Sequence, residues 1–113
     1  MSEALADGVS RFLANLRNER RLSPHTSSGY GRDLAALLAY CEAQGVEAWD
    51  SLDTQHVRSF AAQCHRRGLA PRSIQRRLSA VRSLCRYLIR EGELRHDPAT
   101  GVQAPKIGKH LPT

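Results

Sequence analysis

The sequence has few aromatic residues and no long apolar run. Its 113 residues include two Phe, three Tyr and one Trp, and the alternating β-branched pattern of a strand is nearly absent. No apolar stretch reaches the roughly 20 residues that cross a bilayer, and the first residues lack the basic and apolar segments of a signal peptide. We therefore expect one all-α domain that is soluble and cytoplasmic, with no membrane partner.

Cysteine is scarce, and its spacing is not that of a metal site. Cys41, Cys64 and Cys85 each fall on the apolar stripe of a different predicted helix, and none belongs to a C-x-x-C pair. We expect free, buried thiols that pack as small apolar residues. The five histidines are scattered along the chain, so the sequence predicts no metal site.

Lysine is nearly missing, although the chain is basic. Lys and Arg total 17 against 11 acidic residues, for a net charge of +6, and the only lysines are Lys106 and Lys109. Arginine binds phosphate or guanine through two parallel hydrogen bonds, which lysine cannot do. This balance is typical of a nucleic-acid-binding domain, although an anionic membrane attracts the same charge.

The apolar spacing predicts four helices. Caps, prolines and glycines set their expected bounds at residues 3–20, 24–45, 53–68 and 71–92, with Ser23 as the cap of the second and Asp53 as that of the third. Trp49 and Leu52 are expected to fill the joint before the third helix. Asp97 and Pro98 predict a short further turn. From Gly101 onward the composition indicates a linker, so the predicted domain is 1–100 and the linker 101–113.

The fourth helix separates its side chains most clearly. At about 100° per residue, one arc is apolar and comprises Ile74, Leu78, Val81, Leu84, Cys85, Leu88 and Ile89. The opposite arc contains no acid and comprises Arg72, Gln75, Arg76, Ser79, Arg82, Ser83, Arg86 and Arg90. Only Arg77 points toward the apolar side. A row of guanidinium and hydroxyl donors suits the major groove of DNA, which admits a helix, whereas the alternative is a solvated basic face on a core helix.

Several short motifs resemble the N-terminal core-binding domain of tyrosine recombinases and phage integrases. They are Leu22-Ser23-Pro24-His25-Thr26 with Tyr30, Asp33 and Leu34; Leu78-Ser79-Ala80-Val81-Arg82; and Asp97-Pro98-Ala99. The closing Ala104-Pro105-Lys106 and Leu111-Pro112 resemble the interdomain hinge of the Xer branch. Ala48-Trp49, Val57-Arg58-Ser59-Phe60, Gly68-Leu69, Arg72-Ser73-Ile74 and Glu91-Gly92-Glu93-Leu94 are more similar to the XerC type than to the XerD type.

The resemblance implies a fold and a role. The fold is a SAM-like orthogonal bundle of four main helices, arranged as two crossed hairpins, with a short C-terminal turn and an extended linker. The role is that of an arm that clamps a half-site of double-stranded DNA, in a tetramer with a XerD-like recombinase and under a DNA translocase, for chromosome dimer resolution. Chemistry in this family belongs to a separate catalytic domain and needs no metal or nucleotide cofactor, so this chain alone is not expected to be an enzyme.

The same resemblance, together with the polar arc, selects the candidate DNA-binding residues. They are His25, Thr26, Ser28 and Arg32 on the second helix, and Arg72, Ser73, Gln75, Arg76, Ser79, Arg82 and Ser83 on the fourth. Phosphate is the expected partner, with base edges reserved for Gln75 and Arg76. Thr26 also suits a capping role. Arg86 and Arg90 are expected to lie beyond the duplex.

No catalytic residue is assigned. Tyr30, Tyr40 and Tyr87 occupy stripe or near-stripe positions without a surrounding Arg-His set, so we expect them to pack in the core. Two other functions stay open on the residues alone. Residues 61–82 loosely resemble a helix-turn-helix regulator, which would bind a palindrome as a dimer. A helical protein-interaction module would instead need an acidic partner for the fourth helix.

Overall fold

Four helices form the part of the chain that the structure describes. The computed structural model describes the backbone of residues 3–19 and 24–104, and the side chains of 3–18 and 29–104. The helices are α1 (Glu3–Glu19), α2 (Pro24–Gln44), α3 (Thr54–Arg66) and α4 (Pro71–Arg90), and a short 3-10 turn (Trp49–Ser51) precedes α3. These bounds confirm the four predicted helices. The proposed cap Ser23 lies outside the described residues.

The helix ends follow from local chemistry. The Asp53 carboxylate accepts a hydrogen bond from the backbone N–H of His56 at 3.0 Å, while the backbone N–H of Asp53 donates to His56 Nδ1 at 3.1 Å. This reciprocal pair satisfies backbone donors that the first turn of α3 leaves free. Gly45 and Gly68 follow α2 and α3 with φ of 75° and 88°, a backbone conformation that residues with a Cβ rarely adopt.

Helix α4 is the centre of the core, because α1, α2 and α3 all pack against it. Its predicted apolar arc is buried from Ile74 to Leu88, and Ala80 and Tyr87 are buried as well. The buried arc is therefore wider than predicted, as expected for a helix covered on three sides. Ile89 departs from the prediction, since it is 39% exposed.

The other three helices supply the remaining helical part of the core. Buried side chains of α1, α2 and α3 are Leu5, Val9, Phe12, Leu16, Leu34, Leu37, Tyr40, Cys41, Val57, Phe60, Ala61 and Cys64. Leu13, Tyr30 and Leu38 are partly buried against them. Trp49 and Leu52, in the segment that connects α2 to α3, are buried as predicted.

Gly8 is a close-packing position that helical periodicity does not indicate. A Cβ atom placed on Gly8 would lie 2.5 Å from Nε1 of Trp49 and 3.4 Å from Cδ2 of Leu88. Trp49 Nε1 is buried without a hydrogen-bond partner among the described residues. The absence of a side chain at Gly8 thus lets α1 approach the indole ring.

The chain after α4 folds back onto the helices. Leu94, Ala99 and Val102 are buried in the core, and Arg11 of α1 holds Glu93 through an N–O distance of 2.6 Å. Asp97 accepts a hydrogen bond from the backbone N–H of Ala99 at 2.9 Å, which forms the predicted turn. The boundary at residue 100 stays a prediction, and Val102, two residues beyond it, packs with the domain. Residues 105–113 lie outside the described part of the chain.

The cysteines behave as predicted, since Cys41, Cys64 and Cys85 are free and buried. Burial raises the pKa of the Cys41 thiol from 9.0 to about 11 and that of the Cys85 thiol from 9.0 to about 12. Desolvation disfavours the thiolate in both places. These side chains consequently serve packing rather than nucleophilic chemistry.

Candidate nucleic-acid interface

The polar arc of α4 lies opposite the core. Arg72, Gln75 and Arg76 are exposed, and Ser73, Ser79, Arg82 and Ser83 are half-buried. The helix sequence contains no Asp or Glu. Because the other face is buried against three helices, the orientation of this row of donors is fixed by packing. All seven α4 residues predicted from the sequence are thus exposed or half-buried; six lie on the polar arc, and Ser73 lies beside it.

The first turn of α4 adds backbone donors to this face. Pro71 occupies the first turn, and the N-cap residue Ala70 makes no side-chain capping hydrogen bond. The N–H groups of the first turn have no intrahelical acceptor, and the positive end of the helix dipole favours an anion there. The start of the helix therefore suits the same partner as its arginines.

Of the four residues predicted on α2, only Arg32 has a side chain among the described residues. Arg32 is exposed on α2, and its predicted DNA contact stays a prediction. His25, Thr26 and Ser28 belong to α2, but their side chains lie outside the described residues. Their predicted contacts, and the capping role of Thr26, stay predictions.

Asp33 connects α2 to the polar face of α4. Its side chain has 0% exposure and accepts from Arg76 Nε at 2.8 Å, from Arg76 NH2 at 2.9 Å and from Arg77 Nε at 3.1 Å. Arg77, the arginine on the apolar side of α4, also donates from NH1 to Cys64 Sγ at 3.6 Å. The Asp33 hydrogen bond raises the pKa of Arg76. A buried carboxylate needs such partners, because its desolvation is costly.

The position of Asp33 in the sequence already carries a signal of its role. Asp33 sits between Tyr30 and Leu37 on the apolar stripe of α2, where an unpaired acid would be unfavourable. An acid at such a position indicates a buried basic partner. Which arginine supplies it depends on how α2 and α4 pack, and helical periodicity does not contain that information.

A second polar feature joins α4 to the C-terminal segment. An open cleft of about 500 Å³ is lined by Gln75, Leu78, Ser79, Arg82, Gln103 and Ala104. Arg82 NH1 donates to the carbonyl oxygen of Val102 at 3.4 Å. Gln103 therefore lies beside the predicted DNA-binding residues, although it was assigned to the linker. The chain leaves the described domain next to the polar face of α4.

The three tyrosines pack in or against the core, as predicted. The Tyr40 ring lies 5.4 Å from that of Phe60, and the Tyr87 ring 5.7 Å from that of Phe12, centroid to centroid. Arg90 stacks over Tyr87 at 5.9 Å. Among the described residues, no group of three or more His, Cys, Asp or Glu side chains is placed to hold a metal ion. Within the same residues, no helix is long and apolar enough to cross a membrane.

Comparison with known families agrees with this architecture. Residues 9–92 match the family described as phage integrase, N-terminal SAM-like domain. The match covers most of the chain, and the chain belongs to this family. The helix-turn-helix regulator and the protein-interaction module are therefore not favoured.

The chain is also similar to curated recombinases. The chain is 52% identical over 104 residues to the tyrosine recombinase XerC of Pseudomonas putida and 50% identical over 104 residues to that of Azotobacter vinelandii. Each alignment covers 92% of this chain but 35% of the relative, so the chain corresponds to only part of those recombinases. The resemblance to the XerC type is confirmed.

A solved structure supports the fold independently. The N-terminal domain of a phage integrase/site-specific recombinase from Haloarcula marismortui matches with a TM-score of 0.77, over 93% of this chain and 99% of that one, at 17% identity. At this identity the similarity concerns the fold alone. It confirms the predicted all-α, SAM-like bundle.

Proposed function

We propose that this chain is the DNA-binding arm of a XerC-like tyrosine recombinase and clamps one recombination half-site. The observation that carries the proposal is the acid-free donor face of α4, which the buried opposite face holds outward. From Arg72 to Ser83 this face extends about 16 Å along the helix axis, at about 1.5 Å per residue. That length is comparable with the major groove, which is about 12 Å wide.

Electrostatics favours the same partner. Duplex DNA carries one negative charge per about 1.7 Å of axis. Arg32 on α2 and Arg72 on α4 are exposed, and the first turn of α4 adds backbone donors. Most contacts in such an interface go to phosphates, so we assign phosphate to Arg32, Arg72 and Arg82. Gln75, exposed on the same face, is assigned to a base edge, since Gln pairs with adenine in the major groove.

The activity of the whole protein is part of this proposal. The parent recombinase would act in the cytoplasm on chromosome dimers, in a tetramer with a XerD-like partner and under a DNA translocase. It would cleave and rejoin DNA through a tyrosyl-phosphate formed in a separate catalytic domain. We assign no catalytic step to this chain. Its contribution is affinity and register on the half-site.

The test compares two exposed arginines that differ only in location. Arg72→Gln removes a charge from the donor face of α4, and Arg58→Gln removes the same charge from α3. Binding to a labelled duplex with a Xer-type half-site is followed by fluorescence anisotropy across a salt series. We expect Arg72→Gln to weaken binding and to reduce the slope of log K against log salt by about 0.9, the value for one lost phosphate contact.

Arg58→Gln should leave both quantities close to wild type. An equal loss in the two variants would show that the domain binds through its overall charge, and the assigned face would be wrong. The stoichiometry adds a second criterion. One monomer per half-site fits a recombinase arm, whereas a symmetric dimer on a palindrome would indicate a regulator.

A further inference from the structure

Asp33 pairs with two arginines, although one positive charge would balance its carboxylate. Of the residues that the structure describes, it is the one polar or charged side chain in the buried core. Arg77, with a side chain 21% exposed, already supplies a guanidinium at 3.1 Å. Arg76 supplies a second one at 2.8 Å while its side chain remains 46% exposed. One arginine would balance the carboxylate, so the second pairing calls for another explanation.

The geometry of the Asp33–Arg76 pair leaves half of the guanidinium free. Arginine has five N–H donors in a planar fork. Asp33 takes one from Nε and one from NH2, at 2.8 and 2.9 Å, and these belong to the side edge of the fork. The end edge, formed by NH1 and the second hydrogen of NH2, is not used by this bidentate contact. It matches two acceptor atoms, such as phosphate oxygens or the N7 and O6 of guanine.

Helix α2 provides the surface over which Arg76 lies. A Cβ atom on Gly29 would be 3.9 Å from Arg76 Nε and 4.0 Å from its Cδ, so the arginine stem crosses α2 at this glycine. Gly29 and Asp33 are four residues apart and therefore share one face of the helix. The stem of Arg76 lies over Gly29, and its guanidinium binds Asp33. Arg76 therefore contacts α2 both through its stem and through its guanidinium.

We propose that Asp33 is a positioning residue for DNA binding, which holds Arg76 so that the free edge of its guanidinium binds two acceptor atoms of the duplex. The inference rests on the proposed function. Ordering a long side chain in advance removes a cost that would otherwise fall on binding. The structure thereby links a buried acid of α2 to the donor face of α4, in which Arg76 is the central arginine.

The test exploits a difference in sign. Asp33→Asn keeps the shape of the side chain but removes a negative charge, so charge alone predicts tighter binding to DNA. Loss of positioning predicts weaker binding, by about 3- to 10-fold in Kd, which corresponds to one side chain that must be ordered on binding. The matched control is Asp50→Asn, which removes the same charge from an acid paired with exposed Arg95. It should bind as tightly as wild type or more tightly.

A variant cycle assigns the effect to Arg76. In an Arg76→Gln background, Asp33→Asn should cause no further weakening, because the side chain that it positions is gone. A weakening as large as in the wild-type background would overturn the proposal. Comparing the half-site with a scrambled duplex separates the two acceptors. A loss confined to the half-site indicates guanine, and an equal loss on both indicates phosphate.

Two controls separate a loss of folding from a loss of positioning. Asp33→Asn leaves the half-buried Arg77 without its carboxylate partner. DNA binding of the Asp33→Asn/Arg77→Gln variant is therefore measured in parallel, after circular dichroism has checked that the variants are folded. NMR of the wild-type chain needs no substitution at Asp33: the Arg76 Nε–H signal should exchange slowly with water and keep its position when DNA binds. A shift to the position of a free arginine on binding would mean that the pair breaks, and would overturn the proposal.

Failure of the positioning role can be distinguished from failure of the proposed DNA-binding function. If wild type binds the half-site and Asp33→Asn binds equally or more tightly, the positioning role is wrong and the DNA-binding function stands. If wild type does not bind at low salt, the proposed function fails and the positioning role fails with it.

Discussion

Gly8→Ala tests the packing of α1 against Trp49. Helix propensity predicts that this substitution raises the free energy of unfolding, whereas packing predicts that it lowers it. In an exposed helix interior, Ala is favoured over Gly by about 1 kcal/mol. Gly8, however, is buried, and its new Cβ would lie 2.5 Å from Trp49 Nε1 and 3.4 Å from Leu88 Cδ2. Trp49 is 3% exposed and Leu88 0%, so neither can move into solvent.

The expected magnitude follows from these two terms. Overpacking of a well-packed core costs about 1–3 kcal/mol, and the propensity gain offsets about 1 kcal/mol of it. We expect Gly8→Ala to lower the free energy of unfolding by about 1 kcal/mol, which corresponds to a fall in Tm of about 4 °C for a domain of this size. The assay is urea unfolding followed by circular dichroism, with Tm from a thermal scan.

Gly31→Ala is the matched control. It is also a glycine within a helix, but its Cβ would have Leu13 Cδ1 at 3.9 Å as its nearest neighbour, an ordinary contact. This variant should be stabilised by about 0.4–1 kcal/mol. In a Trp49→Phe background, which lacks Nε1, Gly8→Ala should cost less than in wild type. A Gly8→Ala protein as stable as Gly31→Ala would mean that Trp49 and Leu88 leave room for a side chain at this position.

Three further predictions concern a cap, the thiols and the domain boundary. Asp53→Ala should destabilise the domain by about 1 kcal/mol through loss of the pair with His56, while Asp53→Asn should retain most of the stability; urea titration measures both. Since burial raises the pKa of Cys41 to about 11 and of Cys85 to about 12, ionisation favours the unfolded chain, and the free energy of unfolding should fall as pH rises from about 9 towards 11. Replacing both thiols by Ala should flatten that slope in urea titrations at stepped pH. Val102→Ala should cost roughly 2 kcal/mol through lost burial and a residual cavity, whereas a true linker residue would show no change in the urea midpoint.

The helices were predictable because their signals are local. Prolines at the starts of α2 and α4, the cap at Asp53 and the glycines at 45 and 68 fix the ends, and apolar spacing fixes the buried faces. The donor face of α4 follows from the same periodicity. These features depend on residues a few positions apart, which the sequence displays directly.

The features that were missed depend on packing between distant segments. Asp33 and Arg76 are 43 residues apart, and their pairing requires the register of α2 against α4. Gly8 is critical only because Trp49 packs over it, and Val102 is buried only because residues after α4 fold back. Ile89 fits the apolar arc by its angle but lies at the end of α4, where the core no longer covers it.

The proposed DNA-binding role is tested by comparing how the wild-type chain binds a Xer-type half-site duplex and a scrambled duplex, by fluorescence anisotropy across a salt series. We expect tighter binding to the half-site, as one monomer per site, with a salt dependence that reflects several phosphate contacts. Equal affinity for both duplexes at every salt concentration would contradict it and leave only a basic helical domain.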